Sequence, residues 1–471
     1  MIPMTLAEVA QATGGTLHDV TDPRTRVTGP VVHDSRQVEP GALFAAVAGE
    51  RVDGHDYAAG ALRDGAVAVL ASRPVGVPAV VVDDVVEGLQ RLAQAVTARA
   101  EGATVVGLTG SAGKTSTKDL IAQLLGTVGP TVFTAGSFNN EIGFPITALK
   151  VAADTRFLVL EMGARHKGDI AHLTGLAQPS IGLVLNVGTA HIGEFGSREA
   201  IAEAKGEMVE NLPAEGCAVL NADDPLVRAM ASRTKARVLY FGESAQAQIR
   251  AEGIRLDDSG RAAFTLVTPA GSAPVALRLY GEHHVSNALA AAAVATECGM
   301  TVEQVADALG GAGSLSRWRM ELTERPDGVT VINDAYNANP DSMRAALRAL
   351  AAIGGRGPGA RRTWAVLGEM RELGGESLDE HDAVGRLAVR LNIATLVAVG
   401  GREAACMELG ARNEGSWGEE SVLVPDVDTA VELLRARVRP GDVVLVKASR
   451  SVGLERVAEA LLADGANGAA Q

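Results

Sequence analysis

The sequence predicts an α/β protein of three domains. A central P-loop domain on a parallel sheet is flanked by an N-terminal α/β domain and a C-terminal Rossmann-like, doubly wound domain. Three observations carry this expectation. A length of 471 residues exceeds what one ordinary core supports. From about Gly102 onward, short apolar runs alternate with helix-length segments, the pattern of parallel strands covered on both faces. A glycine-rich phosphate loop heads that alternation. The boundaries expected are 1–100, 101–314 and 315–471.

In the first segment, strands are expected at 66–70 and 79–82 and a helix at 86–98. Asp34, Ser35 and Arg36 follow a valine-rich strand, where a loop presents polar groups to a ligand; a capped turn explains Asp34 and Ser35 equally well. Pro40-Gly41 marks a turn, and 43–47 reads as a buried strand.

The central segment opens with VVGLTGSAGKTSTKDL over 105–120. A β-branched run feeds a glycine turn, and a helix starts near Lys114. In such a loop, Gly110, Ser111, Ala112 and Gly113 curl the backbone so that N–H groups point at phosphate oxygens. The helix start at Lys114, Thr115 and Ser116 adds positive potential, Lys114 reaches the outer phosphates, and the Thr115 hydroxyl holds Mg²⁺. The usual G-x-x-x-x-G-K-[ST] spacing wants glycine at 108. Leu108 stands there, with Gly107 one place earlier, so the loop is a shorter T-G-x-x-G-K-T variant. The expected ligand is a nucleoside triphosphate.

Two apolar strands follow, FLVLEMGA and IGLVLNVGTAH. They are expected to flank the P-loop strand and to end at its phosphate edge in Glu161 and in Asn186 and His191. A carboxylate there binds Mg²⁺ together with Thr115, and a neutral imidazole assists a second metal. Lys205 lies on a helix beside Glu203 and Glu207, and by itself reads as a surface lysine. The stretch from Asp223 to Leu279 suggests a lobe with antiparallel strands. The composition shifts over 311–317 to a glycine-rich linker. Beyond it, strand and helix alternate again without a P-loop. Asp334 and Asn337 sit at one strand end, and Lys447, Ser449 and Arg450 at another on the same sheet edge.

Composition sets limits. A net charge of −14 argues against general nucleic-acid binding. The three cysteines, Cys217, Cys298 and Cys406, fit no zinc spacing and point to a reducing, cytoplasmic setting. No leader-like or membrane-spanning run is expected. With no coiled-coil pattern or long apolar edge, a monomer is the expectation.

Taken in order, TGSAGKTST, EMGA, NVGTAHIGEFGS, EAKGEM, NADDP, GEHHVSNALAA, RWRME and DAYNANPDSM closely resemble the Mur ligase family over nearly the whole chain. HDSR…PGALFAAVAGERVDGHD, FNNEIGFPITAL and YNANP are similar to the branch joining D-Ala-D-Ala to UDP-MurNAc-tripeptide. The resemblance implies an ATP- and Mg²⁺-dependent amide-bond ligase of peptidoglycan synthesis working through an acyl phosphate. It implies Lys114 and Thr115 on phosphate and metal, Glu161 and His191 as metal ligands, and Asn287 on the nucleotide. Asp334 and Asn337 meet ATP from the last domain, as does the arginine after the linker, Arg319 with Arg317 as the alternative. Ser35 and Arg36 hold the UDP end, and Asn139 and Asn140 the substrate. Lys447, Ser449 and Arg450 fall to the dipeptide side, and Lys205 is the position many members carry as a CO₂ adduct. His284 and Ala448 depart from the family's more usual asparagine and glycine. The alternatives are another amide ligase of the superfamily, such as the tripeptide synthetase or folylpolyglutamate synthase, and a non-catalytic ATP-binding scaffold.

Overall fold

The computed structural model describes residues 1–49, 52–136, 138–355 and 357–468. Among these residues the strands form three open sheets and one small two-stranded ribbon.

The first sheet runs, in spatial order, Thr16–His18, Ala79–Val81, Ala68–Ala71, Leu43–Ala45 and Val31–Val32. Its members pair in parallel except for the antiparallel Thr16–His18 edge. The helix Val85–Ala98 begins at an Asp84 cap, whose side chain accepts from Glu87 N–H. It buries Leu89, Leu92 and Val96 in a core that continues through Phe144, Leu158 and Leu160 of the central domain.

The central sheet has nine strands, with Thr104–Thr109 between Phe157–Glu161 and Ile181–Val184, both parallel to it. This is the expected placement. The strands are apolar because helices cover both faces, giving two cores on either side. The antiparallel strands of 223–279 are not a separate lobe. Ile249–Leu256 pairs in parallel with Arg237–Gly242, and Arg261–Thr268 and Gly271–Tyr280 then extend the same sheet as hairpins. The alanine-rich helix His283–Glu297 has Ala288 and Ala290 to Ala293 fully buried, so it packs closely on the phosphate-loop helix Lys114–Gly126.

The last sheet runs Glu321–Glu324, Thr330–Asn333, Val443–Lys447, Thr363–Gly368, Thr395–Val399 and Ser421–Val424. Its strands are parallel apart from the added Glu321–Glu324 edge, which the sequence pattern did not announce. Cores lie on both of its faces. The helix Pro340–Gly354 starts at an Asn339 cap with Pro340 in its first turn, the arrangement a proline-initiated helix favours.

Candidate active site

The phosphate loop sits where a buried strand ends and a helix begins. Gly113 takes φ +80°, and a Cβ there would fall 2.5 Å from Asn287 Oδ1, so only glycine fits. Buried Asn287 thus stands against the loop, with Nδ2 3.5 Å from His284 Nδ1. Lys114 Nζ lies back over the loop and donates to the Gly110 carbonyl at 2.7 Å. One expectation needs correction. The Ser111 and Ala112 N–H groups do not point into an open cradle; both donate to Asn186 Oδ1, at 3.0 and 2.9 Å. Asn186 is a brace from the neighbouring strand end, and the donors left for an anion are those at the helix start from Gly113 onward.

Glu161, at the end of the adjacent strand, is 1% exposed. Its Oε1 accepts from Asn139 Nδ2 at 2.7 Å, while Oε2 is buried without a hydrogen-bond partner. An orphaned carboxylate oxygen, on a group whose charge is felt by Lys114, is what a hard cation requires. Thr115 is buried in the first helical turn. Among the described residues no three His, Cys, Asp or Glu side chains gather into a metal cage. That fits Mg²⁺, which is held by one or two protein oxygens plus substrate phosphates and water.

Lys205 is not the surface lysine its neighbours suggested. Glu203 pairs with Lys167 at 3.0 Å, and Glu207 accepts from the Gly168 and Ala171 N–H groups. Lys205 itself is buried; burial, then the nearby charge of Lys114, pushes its ammonium well below the usual lysine range. Lys114 is also lowered, by burial first, with Glu161 opposing and Arg319 adding to the shift. His191 has φ +61° and sets Nδ1 2.6 Å from Glu372 Oε2 of the last domain. Burial lowers its pKa, Glu372 resists, and Lys114 and Lys205 lower it further.

The last domain supplies the opposite wall. Arg319 Nη2 donates to Thr115 Oγ1 at 3.2 Å, and its guanidinium lies 4.2 Å over the Tyr336 ring. Arg317 instead lies 5.3 Å over the Trp318 ring. Asp334 receives Lys447 Nζ at 2.6 Å and the Met320 N–H at 3.0 Å. Lys447 also donates to the carbonyl of exposed Asn337 at 3.0 Å. Ser449 Oγ accepts from Arg371 N–H at 2.9 Å. Arg450 lies 4.2 Å over Trp318 and pairs with Glu455.

Some expected residues do not join this cluster. Asp34 caps the short turn Ser35–Gln37, and Arg36 doubles back onto Asp34 at 2.6 Å, exposed on the first domain. Asn140 Oδ1 accepts from Gly143 N–H at 2.8 Å, at the start of the short helix Gly143–Ala148. Conversely, Asn339, Asp341 and Glu372 escaped the sequence reading. Asn339 Nδ2 reaches the Ser111 carbonyl at 3.4 Å, and Asp341 Oδ2 accepts from Thr189 N–H at 3.3 Å. The only signal for the first two was that Asn339 lies within YNANP and Asp341 directly after it.

Comparison with known proteins agrees with this geometry. The Mur ligase family catalytic domain matches residues 30–102, the Mur ligase middle domain 108–295, and the Mur ligase glutamate ligase domain 318–450. The chain is 51% identical to UDP-N-acetylmuramoyl-tripeptide–D-alanyl-D-alanine ligase of Mycobacterium tuberculosis H37Rv, over 98% of both chains. It is 36% identical to the Escherichia coli K12 ligase of the same name, over 99% of this chain and all of that one. A crystal structure of MurF from Acinetobacter baumannii superposes with TM-score 0.87 at 31% identity, covering 98% of this chain and 99% of that one. MurF from Thermotoga maritima in complex with ADP gives 0.79 at 32% identity, covering 94% and 99%. With its sheet order, its phosphate loop and these relatives in agreement, the chain belongs to the Mur ligase family, in the UDP-N-acetylmuramoyl-tripeptide–D-alanyl-D-alanine ligase branch.

Proposed function

We propose that the chain is an ATP-dependent ligase that joins D-alanyl-D-alanine to UDP-N-acetylmuramoyl-tripeptide, forming the pentapeptide precursor of peptidoglycan. The single observation that carries the reading is the convergence of Lys114, Glu161, Lys205 and Arg319, from four separate segments, on one phosphate loop. The tripeptide carboxylate attacks the γ-phosphate of ATP to give an acyl phosphate and ADP. The dipeptide amine then adds to the acyl carbon and loses its proton, and phosphate leaves. Lys114 and Arg319 stabilise the charge that gathers on the transferring phosphoryl group, and the helix start at Thr115 and Ser116 holds its oxygens.

Thr115 and Glu161 would hold Mg²⁺, with His191 and Lys205 at a second position. Bound there, the metal neutralises the crowded phosphate charge. The uncharged amine that burial favours at Lys205 is the form that adds CO₂, in keeping with the adduct carried by family members. Ser35 and Arg36 of residues 1–100 take the uridine diphosphate end, Asn139 and Asn140 the peptide stem. The segment 315–471 brings Asp334 and Asn337 to ATP and Lys447, Ser449 and Arg450 towards the dipeptide. The working unit is a monomer in the cytoplasm.

The test is phosphate release from ATP with UDP-MurNAc-tripeptide, with and without D-Ala-D-Ala, and the product read by mass. Release that needs both substrates and a peptide-bonded product are expected. Lys114→Ala is expected to abolish turnover while the protein keeps its far-UV spectrum; retained turnover would overturn the phosphate-loop role.

A further inference from the structure

The segment 188–193, after the strand Ile181–Val184, is where the last domain meets the central one. At its start, a Cβ on Gly188 would run into the Asp341 carboxylate. At its end, a Cβ on Gly193 would fall 2.7 Å from Gly374 N and 3.1 Å from the Glu372 carbonyl. The reciprocal Cβ on Gly374 would fall 2.9 Å from Gly193 Cα. The two backbones therefore touch only because neither residue has a side chain.

Between these contacts stands Glu372. Its carboxylate lies 2.6 Å from His191 Nδ1, a close approach that is not aligned as a hydrogen bond, and 3.3 Å from Arg165 Nη2, and its carbonyl accepts from Gly193 N–H at 3.3 Å. His191 and Glu372 both hold left-handed backbones, φ +61° and +63°. Non-glycine residues adopt these at a cost of about 1–2 kcal/mol each, and surroundings that over-determine them are needed to keep them there. Two strained residues facing each other across a domain seam are held by one another.

Resting on the ligase reading above, we propose that Glu372 is a positioning residue delivered to the central domain by closure of the last. It grips His191 through Nδ1, leaving Nε2 as the nitrogen presented to the phosphate loop, and Gly193 and Gly374 set how close the domains must come. A carboxylate on the far nitrogen fixes both tautomer and ring orientation of an imidazole. Because Glu372 belongs to the last domain, the imidazole is aligned only when that domain meets the central one as it does here.

The test uses the full chain. Turnover by the unchanged protein tests the ligase reading; the variants test only this inference. Glu372→Ala is expected to lower kcat by about 10–100-fold, as loss of a partner behind a metal-ligating histidine does. Fluorescent-nucleotide affinity and Tm are expected to stay near those of the unchanged chain, and Glu372→Asp to recover part of the rate. Gly193→Ala places its methyl against Gly374 only when the domains meet. It is expected to show the same split between rate and nucleotide affinity. It is also expected to show less compaction in solution X-ray scattering when a non-hydrolysable ATP analogue and UDP-MurNAc-tripeptide are added. The inference is overturned if Glu372→Ala keeps most of its kcat, or loses nucleotide affinity in step with it. Gly193→Ala turning over and compacting like the unchanged chain overturns it as well, and that variant decides the matter if Glu372→Ala melts early.

Discussion

Replacing Lys447 with methionine isolates one buried pair. Lys447 and Asp334 stand 2.6 Å apart with side chains only 2% and 11% exposed. Burial lowers the Lys447 pKa more than Asp334 raises it, so the pair is not a strong net stabiliser. Removing one partner is a different matter, because it strands a carboxylate; such losses cost about 3–5 kcal/mol. The Met320 N–H still donates to Asp334, which keeps the expected loss near the lower figure. The three tryptophans, Trp318, Trp364 and Trp417, all lie beyond residue 314, so tryptophan fluorescence reports on the last domain alone. With a urea slope of about 2 kcal/mol per M, the midpoint of that transition is expected to fall by roughly 1.5 M. Adding Asp334→Leu to Lys447→Met should then recover a large part of the loss, giving a coupling of opposite sign to simple additivity. A single-variant loss under about 1 kcal/mol, or strict additivity in the double variant, would refute the stranded-charge reasoning.

Three further outcomes follow from the same structure. Gly113→Ala forces a side chain into a left-handed backbone and against Asn287. Nucleotide affinity measured by calorimetry should fall at least about tenfold, since a strain of 1–2 kcal/mol at the loop is met on top of the clash. Asp34 is held down to about 2 by Arg36, so its contribution to the Ser35–Gln37 turn is complete above the ordinary carboxylate range. That contribution is lost as pH falls through about 2, and the carboxyl carbon shift followed by NMR should titrate there and not near 4. Burial pushes the Cys217 and Cys298 thiols up to about 12, leaving on the order of one thiolate in ten thousand at pH 8. Iodoacetamide labelling read by peptide mass should find both far slower than a free cysteine.

The sheet around the phosphate loop was legible because a parallel strand buried on both faces can only be written as an apolar run. Its polar residues must therefore collect at its end, which is how Glu161 and Asn186 announced themselves. Lys205 was not legible. Its glutamate neighbours at helical spacing describe a solvated face, and the packing of Arg198–Glu210 against the sheet decides otherwise. Glu372 was less legible still. EMRELGG reads as an ordinary loop, and its meaning comes from a segment some 180 residues earlier that it meets only in three dimensions. The antiparallel strands near 249–280 were foreseen as strands, but their joining of the central sheet depends on edge pairing, which periodicity does not encode. Arg319 and Arg317 looked equivalent because spacing says nothing of the strained backbone at Trp318 and Met320, φ +59° and +47°, which turns successive residues in different directions.

The far side of the phosphate-loop helix has a consequence of its own. Lys118, fully buried, pairs with Asp119 at 2.6 Å and donates to the Thr134 and Gly136 carbonyls, at the root of the segment carrying Asn139. Asp119 accepts from Ser316 N–H, three residues before Arg319. One helical turn thus holds both the segment that carries Asn139 and the arm that carries Arg319. Displacing that turn would therefore shift both segments together.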